Sequence, residues 1–367
     1  MSKLNILHVI LTDKFSGAEK VLEQICVNIN KEKYNVFVMC AGGELLERYK
    51  KNKIKVYEFN INKSKIKYFL RYINFIKSNK INIIHAHGMR ASLIALIIKT
   101  LFKRNFKLIS HVHECSKWLK SKNILRFVDR IVRNMFDYNI LCGKKVFEDY
   151  LMFGSYIDKS KVRVISNAIE FKKVDTVHNE VLARKYRKDI DFVFGFIGRL
   201  SKPKGMIPFI SRLVEKSELL ENARILLVGD GEEVPIIKEI IASKSLEEKI
   251  IFTGYKDNIY DYLTVFDLFL LPSLTEGLPM VLLEAMLMKT PALCFNVGSI
   301  RELIDDGVNG YLIRPEDYTT FFEYMERLKN EKGILRCVGE KARQKIIREY
   351  SLPRYIEEIE NLYGSIG

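Results

Sequence analysis

The chain has 367 residues, 48% of them hydrophobic and 29% charged, which excludes a disordered or fibrous polymer and, at this length, predicts two domains of about 150–200 residues. The net charge of +15 is one-sided: Lys and Arg outnumber Asp and Glu by 32 to 14 in residues 1–170, a surplus of +18, but stand at 28 to 31 (−3) in the remainder. An anionic partner is therefore expected for the first half: a membrane surface, a nucleic acid or a phosphorylated substrate.

In chain order, apolar runs predict strands at Asn5–Leu11, Asn35–Cys40, Val56–Phe59, Asn82–His85, Lys107–Val112, Tyr138–Leu141 and Val162–Ile165. Helical patterns separate them at 17–29, 65–79, 90–101, 122–136 and 144–153. Strands spaced by such helices imply βαβ units and parallel sheets. The N-terminus lacks a small-residue cleavage site, so it reads as the first strand rather than a signal peptide. "ASLIALII" (91–98) stops at Lys99, well short of the ~20 apolar residues that span a bilayer. The six cysteines are scattered without a CxxC pair, which suits free thiols in a reducing cytoplasm and argues against a cysteine-built zinc site.

The second half repeats the scheme. Strands are expected at 191–199, 223–231, 249–255, 268–273 and 290–295, and helices near 206–217, 232–243, 258–264, 279–288 and 318–329. All eight prolines lie at or after Pro203, a second sign that the halves differ. The expected division is a basic, membrane-facing domain over 1–170, a polar linker over 171–189 and a nucleotide-binding domain over 190–350. A tail helix within 351–367 can rejoin the first domain. Two doubly wound domains would bind ligand beyond the carboxyl ends of their strands, facing a central cleft.

Three strand-to-helix junctions carry chemistry. "FIGRLSKPKG" (196–205) follows a strand with Gly198, Arg199, Lys204 and Gly205; glycines admit a ligand close to the backbone, and the two cations suit a diphosphate. "VGDGEE" (228–233), with Gly229, lacks the full dinucleotide fingerprint and signals a tight turn. In "LPSLTEGLPMVLLEAM" (271–286) Glu284 is an ionisable group in an apolar helix, where it requires a partner. Ser273 and Glu276 have capping-box spacing, but that would leave Pro279 inside the helix at about 3 kcal/mol. Pro279 belongs at the first helical position. Glu276 then lies in the preceding loop, the amides around Gly277, Leu278, Pro279 and Met280 form an anion site, and Glu284 reaches ligand hydroxyls.

Glu276-x7-Glu284 in this setting resembles the hallmark of the family 4 retaining glycosyltransferases of the GT-B fold. "SGAEK" (16–20) is similar to that family's glycine-rich first loop, with Ser16 where glycine is usual. "IIHAHG" (83–88), "SHVHE" (110–114), "VISNAIE" (164–170), with Ala168 where glycine is common, and "NVGSIRELIDDGVNGYLI" (296–313) follow in the family's order. The resemblance covers nearly the whole chain. It implies two Rossmann-like α/β domains, a nucleotide-sugar donor, most simply a UDP-sugar, and no metal or other cofactor. It also implies roles: Arg199 and Lys204 on the diphosphate, and Glu276 on the sugar. Gly17, Gly198, Gly229, Tyr255, Gly277, Leu278, Pro279 and Met280 would line the donor site. Glu284 would take the ribose and His113 would stand near the donor sugar and acceptor, as base or as orienting group.

Two features lie outside those motifs. His85/His87 and His111/His113 alternate along strands, so each pair shares a face; this is also a metal-ligand spacing, but no acidic partner completes a hydrolase site. Basic residues accompany aromatic and apolar ones at Lys63, Lys65, Lys67 and Arg71, and again at Lys122, Arg126, Arg130 and Arg133. Either set can be the solvated face of an amphipathic helix; with the +18 surplus, the expectation is an anionic membrane surface. The reading is a cytoplasmic, peripherally membrane-bound transferase acting on a polyprenyl-diphosphate-linked or growing saccharide in bacterial surface polysaccharide assembly. A GT-B epimerase or glycan phosphorylase is the alternative, and a nucleic-acid-binding protein a remote one, since it leaves Glu276 and Glu284 without a role.

Overall fold

A computed structural model describes residues 3–59, 65–102, 105–114, 124–153, 157–171 and 179–366. Met1–Asn167 together with Leu352–Gly367 forms one compact unit, and Ala168–Ser351 forms another. Lys63 and Lys122 lie outside the described residues, as does most of the first part of the expected linker.

In the first unit the order is β1 (Leu4–Ile10), α1 (Gly17–Asn28), β2 (Tyr34–Cys40), α2 (Gly43–Lys51), β3 (Val56–Glu58), α3 (Lys65–Ser78) and β4 (Ile83–His87). Then come α4 (Met89–Phe102), β5 (Lys107–Val112), α5 (Ile124–Met135), β6 (Tyr138–Leu141), α6 (Lys144–Phe153) and β7 (Val162–Val164). The sheet is ordered β3-β2-β1-β4-β5-β6-β7 and its pairings are all parallel. Strands β1, β2, β4, β5 and β6 are near-continuous runs of buried residues, as in a sheet covered on both faces.

The second unit runs α7 (Glu180–Arg187), β8 (Phe192–Ile197), α8 (Met206–Leu213), β9 (Ala223–Val228), α9 (Val234–Ala242), β10 (Ile250–Gly254) and α10 (Tyr260–Leu263). It continues with β11 (Leu268–Leu271), α11 (Met280–Leu287), β12 (Ala292–Phe295), α12 (Ile300–Leu303), β13 (Tyr311–Ile313), α13 (Tyr318–Asn330) and α14 (Lys332–Glu349). Its parallel sheet is ordered β10-β9-β8-β11-β12-β13, around a core that includes Phe192, Phe194, Phe196, Phe209, Phe269 and Phe295. The chain then returns to the first unit as α15 (Leu352–Ile366). There the Glu360 carboxylate accepts the Asn30 amide at 2.7 Å and the Glu360 carbonyl accepts the Tyr34 hydroxyl at 3.0 Å.

In both sheets the strand order reverses beside the first strand, between β1 and β4 and between β8 and β11. Loops diverge there at the carboxyl edge, which is where doubly wound sheets bind ligands.

Several expectations change. Residues 180–187 are a helix, not linker: the Asn179 side chain caps it by accepting from the Leu182 amide, Tyr186 is buried, and Arg187 bonds Asp267 at 2.9 Å. Helix α14, absent from the sequence reading, buries Leu335, Val338, Ala342 and Ile346 at helical spacing. β4 continues through His87, two residues beyond the expected end. β13 is only three residues long, too short to show alternation.

Candidate active site

In the second unit, β8 delivers Gly198 and Arg199 and then a single 3-10 turn at Lys202–Lys204. Gly205 ends the turn at φ +67°, and a β-carbon there would lie 2.4 Å from the Pro272 carbonyl oxygen; only glycine lets these two loops touch. The amide of Leu274 donates to the Pro203 carbonyl at 2.8 Å. This contact brings Lys204 onto the loop after β11, where its Nζ lies 2.5 Å from Glu276 Oε1. The pair is largely buried, with side chains 22% and 8% exposed. Arg199 faces Glu232 at 3.4 Å in a half-exposed pair, and such pairs contribute little to stability.

Gly229 has φ +144°, and a β-carbon on it would lie 1.9 Å from the Gly198 carbonyl oxygen. The first turns after β8 and β9 therefore stack backbone on backbone. Tyr255, after β10, is exposed and its hydroxyl donates to Asp257 at 3.2 Å.

Pro279 is the N-cap of α11, extended at φ −71° and ψ 122°, one position before its expected place. Its carbonyl accepts from the amides of Leu282 and Leu283, so the helix opens at Met280, and Ser273 and Glu276 form no capping box. Gly277, Leu278, Pro279 and Met280 are buried around this start, and the first amides of α11 have no acceptor within the helix. The partner of Glu284 is Tyr260, on α10, whose hydroxyl hydrogen-bonds the carboxylate; burial, then the Glu284 charge, push the phenol pKa up. Glu284 itself is 2% exposed. Nothing in the sequence marks Tyr260: it lies 24 residues from Glu284 on a four-residue helix. Ser299 is a second omission. Its amide donates to the Gly277 carbonyl at 2.8 Å, and its buried hydroxyl has no partner among the described residues. A serine in a glycine-containing turn carries no signal of that.

In the first unit, Gly17 is the first residue of α1 and Ser16 its N-cap. The histidines gather at the carboxyl edge of β1, β4 and β5. His8 pairs in register with His85, and His87 with His111, which puts them side by side on one face. Rings stack at centroid distances of 4.6 Å for His85–His87 and 4.1 Å for His111–His113, and the His8 and His85 rings lie tilted at 4.8 Å. Hydrogen bonds link His113 Nε2 to His87 Nδ1 at 3.0 Å and His87 Nε2 to His8 Nδ1 at 3.0 Å. Tyr363 of α15 completes the chain, 3.4 Å from His8 Nε2 and 2.7 Å from His85 Nδ1. The sequence reading omitted His8 and Tyr363, although a lone histidine in "LNILHVI" is itself a signal.

Burial, aided by Lys31, pushes the His8 pKa down to about 3, and burial alone takes His113 to about 4. Burial, then neighbouring histidines, holds His85, His87 and His111 well below the usual value, so the cluster is neutral. The ring nitrogens of His8, His85 and His87, and of His87, His111 and His113, lie within 4.8 Å of one another, a separation a metal ion can bridge. Four of these nitrogens already bond each other in pairs.

The expected membrane residues divide. Lys65 and Lys67 begin α3, Arg71 and Arg130 are exposed, and Arg126 is half-buried. Arg133 faces inward: it is 2% exposed and its Nε lies 2.8 Å from buried Asp129, with Ser110 and Asn139 also accepting from it. A guanidinium so paired is a core element, which removes Arg133 from the membrane set. Instead, α5 turns Ile124, Phe127, Ile131 and Met135 outward, beside an exposed stripe of Leu93, Ile97 and Leu101 on α4. Among the described residues no helix is long and apolar enough to cross a membrane.

Residues 15–173 match the family model "Glycosyltransferase Family 4", and residues 179–345 match "Glycosyl transferases group 1". The chain is 24% identical over 379 aligned positions to the Escherichia coli UDP-Gal:alpha-D-GlcNAc-diphosphoundecaprenol alpha-1,3-galactosyltransferase, covering 99% of this chain and 97% of that one. It is 33% identical over 145 positions to N-acetyl-alpha-D-glucosaminyl L-malate synthase of Bacillus anthracis, 40% of this chain and 38% of that one. Among solved structures, HepE of Anabaena in complex with UDP-glucose superposes with a TM-score of 0.85 at 20% identity, over 99% of this chain and 100% of that one. The two sheets, the stacked glycine turns and the Glu276/Glu284 helix start thus agree with the two matched regions: the chain belongs to the family 4, group 1 glycosyltransferases and has the GT-B fold.

Proposed function

We propose that this glycosyltransferase moves a sugar from a UDP-sugar to a lipid-linked or growing saccharide in bacterial surface polysaccharide assembly, with retention of anomeric configuration. The observation that carries this reading is the placement of Lys204 against Glu276, beside Arg199 and immediately before the α11 start, at the reversal point of the second sheet. Arg199 and Lys204 neutralise the donor diphosphate and the charge it gains as the glycosidic bond breaks, which makes the reaction independent of a metal. The amides opening α11 receive phosphate oxygens. Glu276 holds sugar hydroxyls and Glu284 the ribose. In a front-face transfer the anomeric carbon loses its bond to the phosphate oxygen and gains one to the acceptor oxygen, and the acceptor proton passes to the leaving phosphate.

The UDP-Gal donor and diphosphoundecaprenol-linked acceptor in the Escherichia coli relative's name support this substrate class. The exposed apolar stripes of α4 and α5, with Arg126 and Arg130 alongside, support a peripheral site on the cytoplasmic face of an anionic membrane. The test is calorimetry with UDP in the presence of a chelator, then a donor screen reading nucleotide release with and without a polyprenyl-diphosphate-linked saccharide. UDP binding and acceptor-dependent release are expected; absence of UDP binding would overturn the reading.

A further inference from the structure

Among the described residues, four buried ring nitrogens of the histidine cluster have no hydrogen-bond partner: His85 Nε2, both nitrogens of His111, and His113 Nδ1. His111 is the extreme case. A neutral imidazole carries one N–H and one bare nitrogen. Either tautomer of His111 therefore strands a donor and an acceptor together in the interior, a defect that native structures rarely keep. Its ring packs on those of His113 and His87, with centroids 4.1 and 5.4 Å away. One ring nitrogen each of His87, His111 and His113 lies within 4.8 Å of the other two. We propose that these three imidazoles form a binding site for a borderline divalent transition-metal ion such as Zn²⁺, held wholly by the first unit and apart from the diphosphate machinery of the second.

The donor set decides the class of ion. Imidazole suits Zn²⁺, Ni²⁺ and Cu²⁺, whereas Mg²⁺, Ca²⁺ and Mn²⁺ take oxygen ligands, and the group contains histidines alone. Tetrahedral nitrogens at ~2.1 Å from an ion stand about 3.4 Å apart. His87 Nδ1 and His113 Nε2 are 3.0 Å apart, so an ion replaces the proton between them after an opening of about 0.4 Å. His111 supplies the third nitrogen without giving up a hydrogen bond, and water takes the fourth position. In the bound state His87 carries its proton on Nε2 and donates it to His8 Nδ1, 3.0 Å away. His8 Nε2 in turn faces the Tyr363 hydroxyl at 3.4 Å. A buried partner on the far N–H of a ligating histidine fixes the ring and raises its basicity; His8 and Tyr363 are thus positioning residues for the site.

His113 is half-buried, just past the end of β5 at the ligand edge of the sheet. An ion bound through it holds its ring in place and slows transfer. That consequence rests on the glycosyltransferase reading; the site itself does not. The experiment uses full-length protein stripped with a chelator, titrated calorimetrically with ZnCl₂ in excess MgCl₂, and with CoCl₂ read by visible absorption. One Zn²⁺ per chain is expected despite the Mg²⁺, with the intense bands of four-coordinate Co²⁺. His111→Gln should weaken Zn²⁺ binding about 100-fold or more, and Tyr363→Phe, acting through His8, about tenfold. UDP affinity in metal-free buffer should be unchanged in both. Transfer should fall at one equivalent of Zn²⁺ and recover on adding chelator. Equal Zn²⁺ affinity in His111→Gln and the unsubstituted protein would overturn the site, as would displacement by Mg²⁺ or the pale spectrum of six-coordinate Co²⁺. Should His111→Gln fail to fold, the cobalt spectrum of the unsubstituted protein decides alone. Transfer undiminished by bound Zn²⁺ would overturn the hold on His113. Absence of UDP binding to metal-free protein would remove the glycosyltransferase reading and leave the zinc titration standing.

Discussion

The ammonium of Lys204 lies 2.5 Å from the Glu276 carboxylate, joining a loop after β8 to one after β11 across 72 residues of chain. Replacing Lys204 with Met removes one partner of a largely buried pair and one charge facing the diphosphate. Turnover is expected to fall by about 10²-fold or more, the scale of losing one preorganised electrostatic contact. Initial rates of nucleotide release check this, and undiminished turnover would disprove the role.

Arg199 gives the contrasting case. Its pair with Glu232 is half-exposed, so Arg199→Ala should leave unfolding free energy within about 0.5 kcal/mol. Its effect should fall on catalysis: kcat is expected to drop about tenfold or more, with a smaller change in donor affinity. Single-turnover kinetics beside donor titration separate the two, and a variant that loses affinity alone would contradict transition-state stabilisation.

Glu284 accepts a hydrogen bond from the Tyr260 hydroxyl, so the carboxylate is aligned by a phenol. Glu284→Gln keeps the shape but weakens an acceptor for ribose hydroxyls; UDP affinity is expected to fall about tenfold, at roughly 1.5 kcal/mol for a charge-assisted bond. Calorimetry reads this directly, and unaltered affinity would exclude the ribose assignment.

The Asp129–Arg133 pair is buried at 0% and 2% exposure. Tyr150 donates its hydroxyl to the same Asp129 oxygen at 3.2 Å. Asp129→Ala should cost about 3–5 kcal/mol by stranding the guanidinium, whereas an Asp129→Leu/Arg133→Met double substitution should recover much of that. Denaturant titration compares them; a single variant as stable as wild type would show that the pair is not structural.

Acid should loosen the histidine unit. His8 and His113 titrate near 3 and 4 in the fold against 6.5 in an unfolded chain, and the other three are also lowered. Below 6.5 the unfolded state therefore binds more protons, and stability present above that pH declines as pH falls toward about 4, by up to ~1.4 kcal/mol per pH unit per histidine. Unfolding midpoints at pH 7, 6 and 5 measure the slope. A flat profile over that window would show the cluster already charged.

Much of this architecture was legible. Buried parallel strands announce themselves as apolar runs, and the Gly198, Gly229 and Pro279 positions carry backbone requirements visible in the residue type. What escaped reading was long-range or contextual. Arg133 continues the helical spacing of half-buried Arg126 and exposed Arg130, and only the Asp129 partner one turn away decides that it turns inward. Tyr260 and Tyr363 sit on short or terminal helices whose docking no local pattern encodes. Helix α14 has apolar positions at helical spacing, but charged residues are interleaved along its whole length, and the sequence reading ended its helical pattern at 329.

Because α15 belongs to the first unit, the polypeptide that completes that unit is synthesised only after the whole of the second. On a ribosome the seven strands of the first sheet would wait, with His8 and His85 lacking the Tyr363 hydroxyl, while residues 168–351 emerge and fold. Nascent first units should therefore be the species that chaperones hold, and chains truncated before Leu352 should yield a folded second unit carrying an incompletely folded first one.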